Sequence, residues 1–571
     1  MSEMTKSELS PKFMERFLAS FTLQRLQFGH GHNSVGTVLL FVFFLLLGRE
    51  RASAQSTNGL AYAVNADNTI TITGYNCTHN AVVIPASIAG LPVTSIGSYA
   101  FAICDKLPSV TIPGSVTSIG DYAFFFCSGL TSVTIPEGVT NIGNAAFSTC
   151  RGLFKLTIPN GVSTIGDSAF AYCSGLTSVV IPGSVSSIGA GVFTGCSALT
   201  TVMLPAGVTR IGDGFFEGCS GLSSVTIPSS VSSIGVGAFE GCSALTTIAL
   251  PAGVTNIGTS AFALCSGLTS LTLPAGLTSF GHYVFGSCVG LGNVWISAGV
   301  TQIGVDMFNS CYSLTNVTIP GSVSSIGAGA FQGCSALTSL TLPAAVTNLG
   351  LGAFADCSSL ASIGVDALNP SFRNVDGILF DHAQTKLVQC PGAYVGSYSI
   401  PGSVTHIRDQ AFEGCSGLTS VTIPSSVTSI GNSAFFYCFN LQTAQFEGNA
   451  PTGDSSIFEY LPATVFYLAG TIGWGSSFGG VPTAVWELPN PVALPQPGIT
   501  ANGFGFAISW ATNAAVVVEA TESLMPANWF PVCTNSMSYS AGSAADFNGW
   551  AQFSDSGWTN HPSRFYRVRQ Q

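Results

Sequence analysis

The sequence predicts a β-rich solenoid built from 23-residue coils and followed by a small all-β C-terminal domain. Cysteines recur every 23 residues from Cys104 to Cys357, and the same spacing separates Cys415 from Cys438. A phenylalanine precedes each of these cysteines by three residues, and a short alternation of β-branched and polar residues follows. A fixed period of about 20 to 50 residues marks a solenoid, whose units stack because none can bury its apolar side alone.

The composition agrees with such an array. Of the 571 residues, 46% are hydrophobic and only 8% are charged, against roughly a quarter charged in an ordinary soluble domain. The net charge of −11 argues against a nucleic-acid partner, because phosphate binding needs clustered Lys and Arg. Beyond residue 47 no apolar run reaches the roughly 18 residues of a spanning helix, so we expect no transmembrane domain in the mature chain. We expect one continuous core along the array instead.

The N-terminal 54 residues have the pattern of a signal peptide. An apolar stretch from Val38 to Leu47 follows several basic residues, and Ala52-Ser53-Ala54 gives an A-x-A cleavage pattern. We therefore predict a signal peptide at 1–54 and an exported chain, secreted or associated with the cell surface. The alternative is an uncleaved N-terminal anchor, although the stretch is short for a membrane span.

Each coil is expected to contain two extended pieces and a short helical turn. In one unit, Val133-Thr134-Ile135 alternates as a short strand does, and Pro136 turns the chain. Val139 to Ile142 forms a second extended piece. Asn144-Ala145-Ala146-Phe147 then has the pattern of a capped helical turn that ends near Cys150. Val, Ile, Leu, Phe and Cys would form stacked interior ladders of parallel coils, while Ser and Thr face outward.

The repeated string P-x-x-V-T-x-I-G-x-x-A-F-x-x-C-x-x-L-T resembles the BspA-type leucine-rich repeat of bacterial surface and secreted proteins. The resemblance covers roughly residues 82–445. It implies a leucine-rich repeat solenoid at 96–445, with an expanded repeat at 358–401. For function it implies binding or adhesion at the cell surface, and it transfers no catalytic residue because the repeat pattern is structural.

The cysteines allow two interpretations. An exported chain with 17 cysteines can be a disulfide scaffold. In-register parallel coils, however, point successive Cβ vectors the same way, which disfavours pairing along the ladder. We therefore predict that all fourteen ladder cysteines are buried, inert thiols. Cys77, Cys390 and Cys533 lie off the ladder, and the sequence leaves their redox state open.

The ends of the array differ from its middle. Residues 55–95 are predicted to form an N-terminal cap with a first irregular coil, and residues 446–487 a C-terminal cap. A Pro-rich linker at 488–498 follows. Residues 499–571 alternate as about five short strands would, which predicts a small β-sandwich-like module. This module resembles C-terminal modules of exported bacterial proteins only weakly, and no activity is attached to it.

Candidates for chemistry are few. No His lies beside Cys or carboxylates at metal-ligand spacing, and the long cysteine spacing does not form the compact cluster that zinc prefers. Glu217 and Glu240 recur in successive coils and could approach as a catalytic carboxylate pair, but solvated carboxylates on an exposed face are the simpler interpretation. We therefore predict no catalytic residue, no metal, no cofactor and no enzymatic activity.

Coils that depart from the repeat at outward positions are candidates for binding. Seven residues after each cysteine, most coils have Thr, but others have Val180, Met203, Ala249, Trp295 and Gly364, and Met203 and Trp295 are the largest of these. The Trp295 coil also carries His282 and Tyr283 in place of small polar residues, and the next coil has Tyr312 where Ser is usual. Exposed aromatics form hot spots for protein or stacking platforms for sugar. We predict Trp295, Tyr283, His282, Tyr312 and Met203 as the ligand-binding site; the alternative is neutral drift of the repeat.

Two function classes follow. The first is an exported binding protein that recognises protein or glycan at the cell surface and mediates adhesion. The alternative is a passive structural component of the cell envelope or extracellular matrix, without a specific ligand. Alterations confined to a few coils favour the first class, whereas uniform faces with self-association would favour the second.

Overall fold

The computed structural model describes residues 55–77 and 81–486, and beyond them the strands between residues 492 and 570. Residues 1–54, with the predicted signal peptide, lie outside the described residues, as does most of the predicted linker. The described residues form strands, turns and irregular segments, and no helix occurs among them. The predicted solenoid is confirmed: coils of the 23-residue period stack in parallel.

Most regular coils contribute one strand to each of two parallel rows, although the Cys150 and Cys242 coils have no strand in the first row. The register offset is one repeat, as in the pairing of Val179 with Val202 and of Ile234 with Ile257. The first strand row follows the ladder cysteines and comprises Val82–Val83, Ser109–Thr111, Ser132–Thr134, Ser178–Val180, Thr201–Met203, Ser224–Thr226, Ser270–Leu273, Asn293–Ile296, Asn316–Thr318, Ser339–Leu342, Ser362–Val365, Val395–Ser399, Gly417–Ile423, Thr443–Phe446, Thr464–Tyr467 and Val481–Val485.

The second strand row follows the Pro turn of each coil and is shorter, because the next Gly ends each strand after about two residues. It comprises Leu91–Ile96, Ser118–Ile119, Asn141–Ile142, Thr164–Ile165, Ser187–Ile188, Arg210–Ile211, Ser233–Ile234, Asn256–Ile257, Ser279–Phe280, Gln302–Ile303, Ser325–Ile326, Asn348–Leu349, His406–Ile407 and Ser429–Ile430.

The predicted helical turn is wrong. In its place lies a turn segment, the six or seven residues that end at the ladder cysteine, whose alternate N–H groups bond to the next coil. The Phe124 N–H donates to the carbonyl of Ala146 at 2.7 Å, and the N–H groups of Tyr122 and Phe126 on either side donate to the same coil. A helical turn would direct these groups to carbonyls four residues earlier in its own chain. Coil-to-coil bonding therefore replaces the helix.

This alternation requires left-handed backbone at two positions in each turn segment. In the Cys127 coil, φ is 57° at Tyr122 and 58° at Phe126. The equivalent positions in another coil are Gly237 and Gly241, with φ of 59° and 73°. Gly adopts this region without steric penalty. The recurring glycines of the turn segments thus allow the left-handed backbone. The sequence pattern alone did not distinguish this conformation from a helical turn.

The interior contains a phenylalanine ladder. Phe262 is fully buried, and its ring centroid lies 4.9 Å from that of Phe239 and 5.2 Å from that of Phe285, in nearly parallel planes. Beside the ladder lie the buried cysteines, where burial raises the pKa of the Cys173 thiol to about 12. A thiol of that pKa is almost entirely protonated at neutral pH, as a small hydrophobic residue in a core would be.

The expectation of one continuous core is wrong. The expanded repeat inserts three antiparallel strands, Phe372–Val375, Ile378–Asp381 and Lys386–Gln389, and the last of them pairs in parallel with His406–Ile407. Leu379 belongs to the hydrophobic cluster of the preceding coils, whereas Ile378 and Phe380 belong to that of the following coils. Because successive side chains alternate across a strand, the inserted sheet divides the buried side chains into two cores.

One cysteine prediction also fails. Cys104 is the first member of the ladder, and it forms a disulfide with the off-ladder Cys77, with the Cα atoms 5.1 Å apart. No complete coil precedes Cys104, so the same-direction Cβ argument does not apply to this pair. The other thirteen ladder cysteines are buried free thiols, as predicted, and Cys390 is a fourteenth.

The remaining strands belong to the ends of the chain and cap the two rows or form separate antiparallel sheets. At the N-terminal end they are Gln55–Thr57, Leu60–Val64, Ile70–Tyr75 and Ser87–Ile88. Ser477–Phe478 pairs with the last strand of the first row. Two antiparallel sheets, of four and three strands, contain Val492–Ala493, Gly498–Thr500, Gly503–Ser509, Ala515–Thr521, Phe530–Ser536, Trp550–Asp555 and Phe565–Gln570. Whether they form an independent module, as the composition suggests, stays a prediction.

Candidate binding site

The first strand row presents a flat polar face. Side chains alternate across each strand, so in Ser132–Thr134 the valine is buried and the flanking Ser and Thr are exposed. Parallel coils bring equivalent positions about 4.8 Å apart, which produces columns of hydroxyl groups. The coils at Cys288 and Cys311 interrupt these columns.

Trp295 is the largest interruption. It lies on the strand Asn293–Ile296, whose neighbouring side chains Val294 and Ile296 are buried, while the Trp295 side chain is 54% exposed. Its register partners are Thr272 and Thr318 in the adjacent coils. The indole is therefore held on a strand anchored in the core and flanked by hydroxyl groups on both sides.

Two amides stand beside the indole. Asn293 and Asn316 occupy the column that lies five residues after the ladder cysteine, where other coils have mainly Ser or Thr. The Asn316 Nδ2 donates to the Asn293 Oδ1 at 3.1 Å and lies 3.2 Å from the Thr315 Oγ1. Both strands are paired in register, so the two amides form a polar strip across neighbouring coils.

A gap adjoins the strip. Gly292 occupies a column that is otherwise mostly Thr or Ser, between Thr269 and Thr315. A Cβ built at Gly292 would have its nearest neighbours 3.7 Å away, at the carbonyl oxygens of Ser313 and Thr269. No steric requirement therefore demands glycine here, and its effect is to leave a notch beside Asn293. Gly292, Asn293, Trp295 and Asn316 are called the Trp295 patch below.

Tyr312 flanks the patch. It directly follows the ladder cysteine of the coil that contributes Asn316, and its side chain is 53% exposed. The residue one repeat earlier is Val289, which is also partly exposed. Tyr312 and Val289 therefore place an apolar pair where the chain passes from the turn segment to the strands that carry the patch.

His282 and Tyr283 lie away from the patch. They belong to the turn segment, and the buried Phe285, Cys288 and Val294 form the coil interior between that segment and the strand. The Tyr283 ring covers Gly286, and its hydroxyl hydrogen-bonds the Ser287 Oγ at 2.6 Å. Tyr283 thus covers its own turn, while His282 is exposed and remains a candidate only for a separate contact.

Met203 is also separate. It is 66% exposed and pairs in register with Val180 and Thr226. Four repeats separate it from Trp295, which corresponds to about 19 Å at the usual strand spacing. Met203 and the exposed Val180 form an isolated apolar pair on the same face.

The chemistry of the patch is that of binding without charge. None of its four residues is ionisable, and the strand segments 289–296 and 312–319 contain no Asp, Glu, Lys or Arg. Among the residues that the structure describes, no group of three or more His, Cys, Asp or Glu side chains is placed to hold a metal ion.

Burial raises the pKa of Glu240, and the charge of Glu217 adds to that rise, so these two carboxylates do interact across coils.

The sequence singled out Trp295 and Tyr312, which are both exposed, but it did not single out the amides and the notch. That any of these residues binds a ligand stays a prediction. The signal was available, because Asn293, Asn316 and Gly292 depart from the repeat in columns next to the one that singled out Trp295. Reading every outward column, rather than only the strand position seven residues after the cysteine, would have found them.

The fold is thus that of a repeat protein with an exposed strand face. The chain belongs to the BspA-type leucine-rich repeat family, whose model, described as a BspA type leucine rich repeat region in six copies, matches the overlapping segments 94–222, 187–312, 278–392 and 392–468. The resemblance predicted from the repeat string is therefore confirmed.

Several crystal structures are similar to this chain. A leucine-rich repeat protein from Bacteroides ovatus is 27% identical with a TM-score of 0.53, over 68% of this chain and 94% of that one. A leucine-rich repeat protein of T. pallidum is 37% identical over 34% of this chain and 91% of that one, with a TM-score of 0.32. A leucine-rich cell surface protein from Faecalibacterium prausnitzii is 29% identical over 70% and 96%, with a TM-score of 0.41. No curated protein matches the sequence.

Within the part of the chain that the structure describes, no helix has the length and apolar character needed to cross a membrane.

Proposed function

We propose that this protein is an exported, non-enzymatic binding protein that recognises a protein or glycan ligand at the cell surface through the Trp295 patch. The observation that carries the proposal is the exposed indole of Trp295 between Thr272 and Thr318, beside the amides of Asn293 and Asn316. If this face had only a passive structural role, nothing would favour an exposed Trp, two amides and a notch together in adjacent coils.

The chemistry of the patch suits a sugar ring or a polar peptide surface. An indole face packs against C–H groups, while amides both donate and accept hydrogen bonds. The notch at Gly292 gives space beside the amides. Because the patch is neutral, shape and hydrogen bonds would provide specificity, and affinity should change little with salt concentration.

Export and surface location rest on the sequence and on the family. The apolar stretch and A-x-A pattern before Gln55 support a cleaved signal peptide. The Cys77–Cys104 disulfide is consistent with an oxidising compartment. We propose adhesion as the biological role because a rigid array can present the patch at a distance from its attachment point.

The test is to probe immobilised glycans and extracellular-matrix proteins with the exported chain and to measure the affinity of each hit. Trp295→Ala should weaken binding at least about tenfold, as expected for an aromatic hot spot. Asn316→Ala should weaken it less. Thr134→Ala, a change in the same column of a regular coil, is the matched control and should leave affinity unchanged.

Other outcomes separate the alternatives. Equal affinity of Trp295→Ala and the unchanged chain for a verified ligand would remove the patch from the proposal. If Met203→Ala abolishes ligand binding while Trp295→Ala retains it, the binding site lies around Met203 on the same face. Self-assembly of the protein without any array hit would favour the passive structural role.

A further inference from the structure

Twelve of the fourteen ladder cysteines make the same contact. Each directs its Sγ–H to the carbonyl oxygen of the phenylalanine 26 residues earlier, in the preceding coil, at 3.0 to 3.2 Å; the Cys242 bond to Phe216 and the Cys438 bond to Phe412 are examples. The contact depends on a regular coil directly below the cysteine. It gives each buried thiol a defined partner.

The two exceptions are Cys104 and Cys415, and each begins a stack of regular coils. Cys104 follows the N-terminal irregular coil, and Cys415 follows the expanded repeat. In neither case is the residue 26 positions earlier in the sequence a phenylalanine, and each has instead an off-ladder cysteine a similar distance back, Cys77 or Cys390. At the first exception the pair is a disulfide.

Cys390 occupies the place of the missing phenylalanine. Its N–H donates to the carbonyl of Ala411 at 2.6 Å, whereas in regular coils the phenylalanine N–H donates to the equivalent carbonyl, as Phe124 does to Ala146. The Cys415 Sγ then lies 3.8 Å from the Cys390 carbonyl oxygen and 3.5 Å from that of Pro391.

The two thiols share one environment. The Cys390 Sγ lies 3.8 Å from the same Pro391 oxygen, so the two sulfur atoms contact one shared acceptor. Both side chains are fully buried in the second core. The interaction with Cys390 and burial together hold the pKa of the Cys415 thiol well above its usual range, so the Cys415 thiol stays protonated once folded.

We propose that Cys390 and Cys415 form a second structural disulfide in the exported protein, closing the expanded repeat as Cys77 and Cys104 close the N-terminal end. The oxidant is a disulfide of an oxidising compartment, either a small-molecule disulfide or the disulfide of a thiol oxidase. One cysteine thiolate attacks it and releases one thiol; the second thiolate then displaces the other thiol from the mixed disulfide. Two cysteine thiols are oxidised, the disulfide is reduced to two thiols, and the Cys390–Cys415 bond forms before the segment is buried.

The test counts free thiols in the full chain, exported into an oxidising compartment, unfolded without reductant and alkylated. With both disulfides present, four of the 17 cysteines are paired and thirteen react. The Cys390→Ala variant frees Cys415, so its thiol count should rise by one. Cys438→Ala, which removes a ladder cysteine with the regular contact, is the matched control and should lower the count by one.

The direction of the change decides the proposal. If Cys390 and Cys415 are thiols, Cys390→Ala lowers the count by one, as the control does, and the proposal is wrong. Alkylated Cys390 and Cys415 peptides in the unreduced protein would overturn it equally. Because the chain is unfolded before alkylation, poor folding stability of a variant does not obscure the result.

Discussion

The regular coils and the junction at the expanded repeat satisfy the same backbone groups in different ways. Between regular coils, the Gly of each second strand donates its N–H to the coil before it, as Gly350 does to the Ile326 carbonyl at 2.8 Å. Glycine is required because a Cβ there would meet the backbone of the preceding coil. At the junction the equivalent residue is Arg408, which the inserted sheet accommodates. Its guanidinium donates to the Leu349 carbonyl at 2.8 Å.

The difference shows which hydrogen bonds depend on a regular neighbouring coil. In a regular coil, most backbone groups bond to the backbone of the neighbouring coil, and side chains such as those of Thr140 and Asn144 add bonds between coils at equivalent positions. At the junction, side chains make bonds to the backbone instead. The Arg408 guanidinium spans the insertion to the Leu349 carbonyl. Gln389 donates to a carbonyl of the following coil, and Asn369 donates to one of the preceding coil. The regular array should therefore depend mainly on apolar packing, whereas the junction should depend on a few buried polar groups.

The largest effect should come from breaking the phenylalanine ladder in the regular array. Phe262→Ala removes a fully buried ring that stacks on two neighbours, which should lower the free energy of unfolding by about 3 to 5 kcal/mol. Because each coil contacts only its neighbours, thermal unfolding should also become less cooperative. Phe154→Ala, an exposed phenylalanine, is the control and should change stability by less than about 0.5 kcal/mol. Equal effects would contradict the ladder as the main source of stability.

The junction should respond most to Asn369. This buried amide donates to the carbonyls of Pro343 and Val346 at 2.8 and 2.9 Å and accepts the N–H groups of Ser371 and Phe372, both at 2.9 Å. Asn369→Ala leaves buried backbone groups unpaired and should cost about 2 to 3 kcal/mol in denaturant unfolding.

The control for that change is an exposed asparagine in a regular coil. The Asn348 Nδ2 donates to the Ser325 Oγ at 3.2 Å on the surface. Asn348→Ala should alter the free energy of unfolding by less than about 0.5 kcal/mol. If the two variants are equally stable, the buried hydrogen bonds of Asn369 do not stabilise the junction.

The sequence predicted the period and the interior of the repeat, but not the backbone conformation of the turn segment or the structure at the interruptions of the array. The period, the interior ladders and the outward hydroxyl columns follow from periodicity, and Trp295 and Tyr312 were identified as departures from it. The helical turn was mistaken because Asn144-Ala145-Ala146-Phe147 has good local helix signals, while its N–H groups find better partners in the next coil. The Cys77–Cys104 pair and the divided core depend on which segments replace a missing coil, and a 23-residue pattern carries no information on that.

Within the regular array, the left-handed turn positions offer a smaller test. Gly241→Ala places a Cβ at φ of 73° with only ordinary contacts to Gly218, so its cost is conformational, about 1 to 2 kcal/mol. Gly207→Ala is the control, since a Cβ added there would have no atom within 4 Å and the φ of this glycine is not positive. That change should stabilise the chain by about 0.4 to 1 kcal/mol through the unfolded state. Denaturant unfolding of the two variants in parallel measures the contrast, and destabilisation of both would indicate a role for Gly other than backbone freedom.

The smallest effect should come from removing the buried charge of Glu413 at the junction, and this removal should stabilise the protein. Glu413 is only 4% exposed, and its Oε1 accepts from the Gln332 Nε2 at 3.1 Å, while its Oε2 has no partner among the described residues. Burial raises the pKa of Glu413 and the nearby Asp356 carboxylate adds to that rise, while the Gln332 and Gln410 side chains oppose it. The folded state therefore holds the proton more tightly than the unfolded state, and stability falls as pH rises from the ordinary glutamate pKa through the raised one.

Glu413→Gln removes this titration and keeps a side chain of the same shape. At pH 7 the variant should be more stable by about 1 kcal/mol, and the advantage should vanish toward pH 4, where the glutamate is protonated in both states. Urea unfolding of both chains across this range measures the difference, and Glu137→Gln, at an exposed glutamate, provides the control. A variant that is less stable at every pH would mean that the Glu413 carboxylate is held by compensating contacts, which would remove the contrast between a backbone-bonded array and a junction that tolerates buried charge only at a cost.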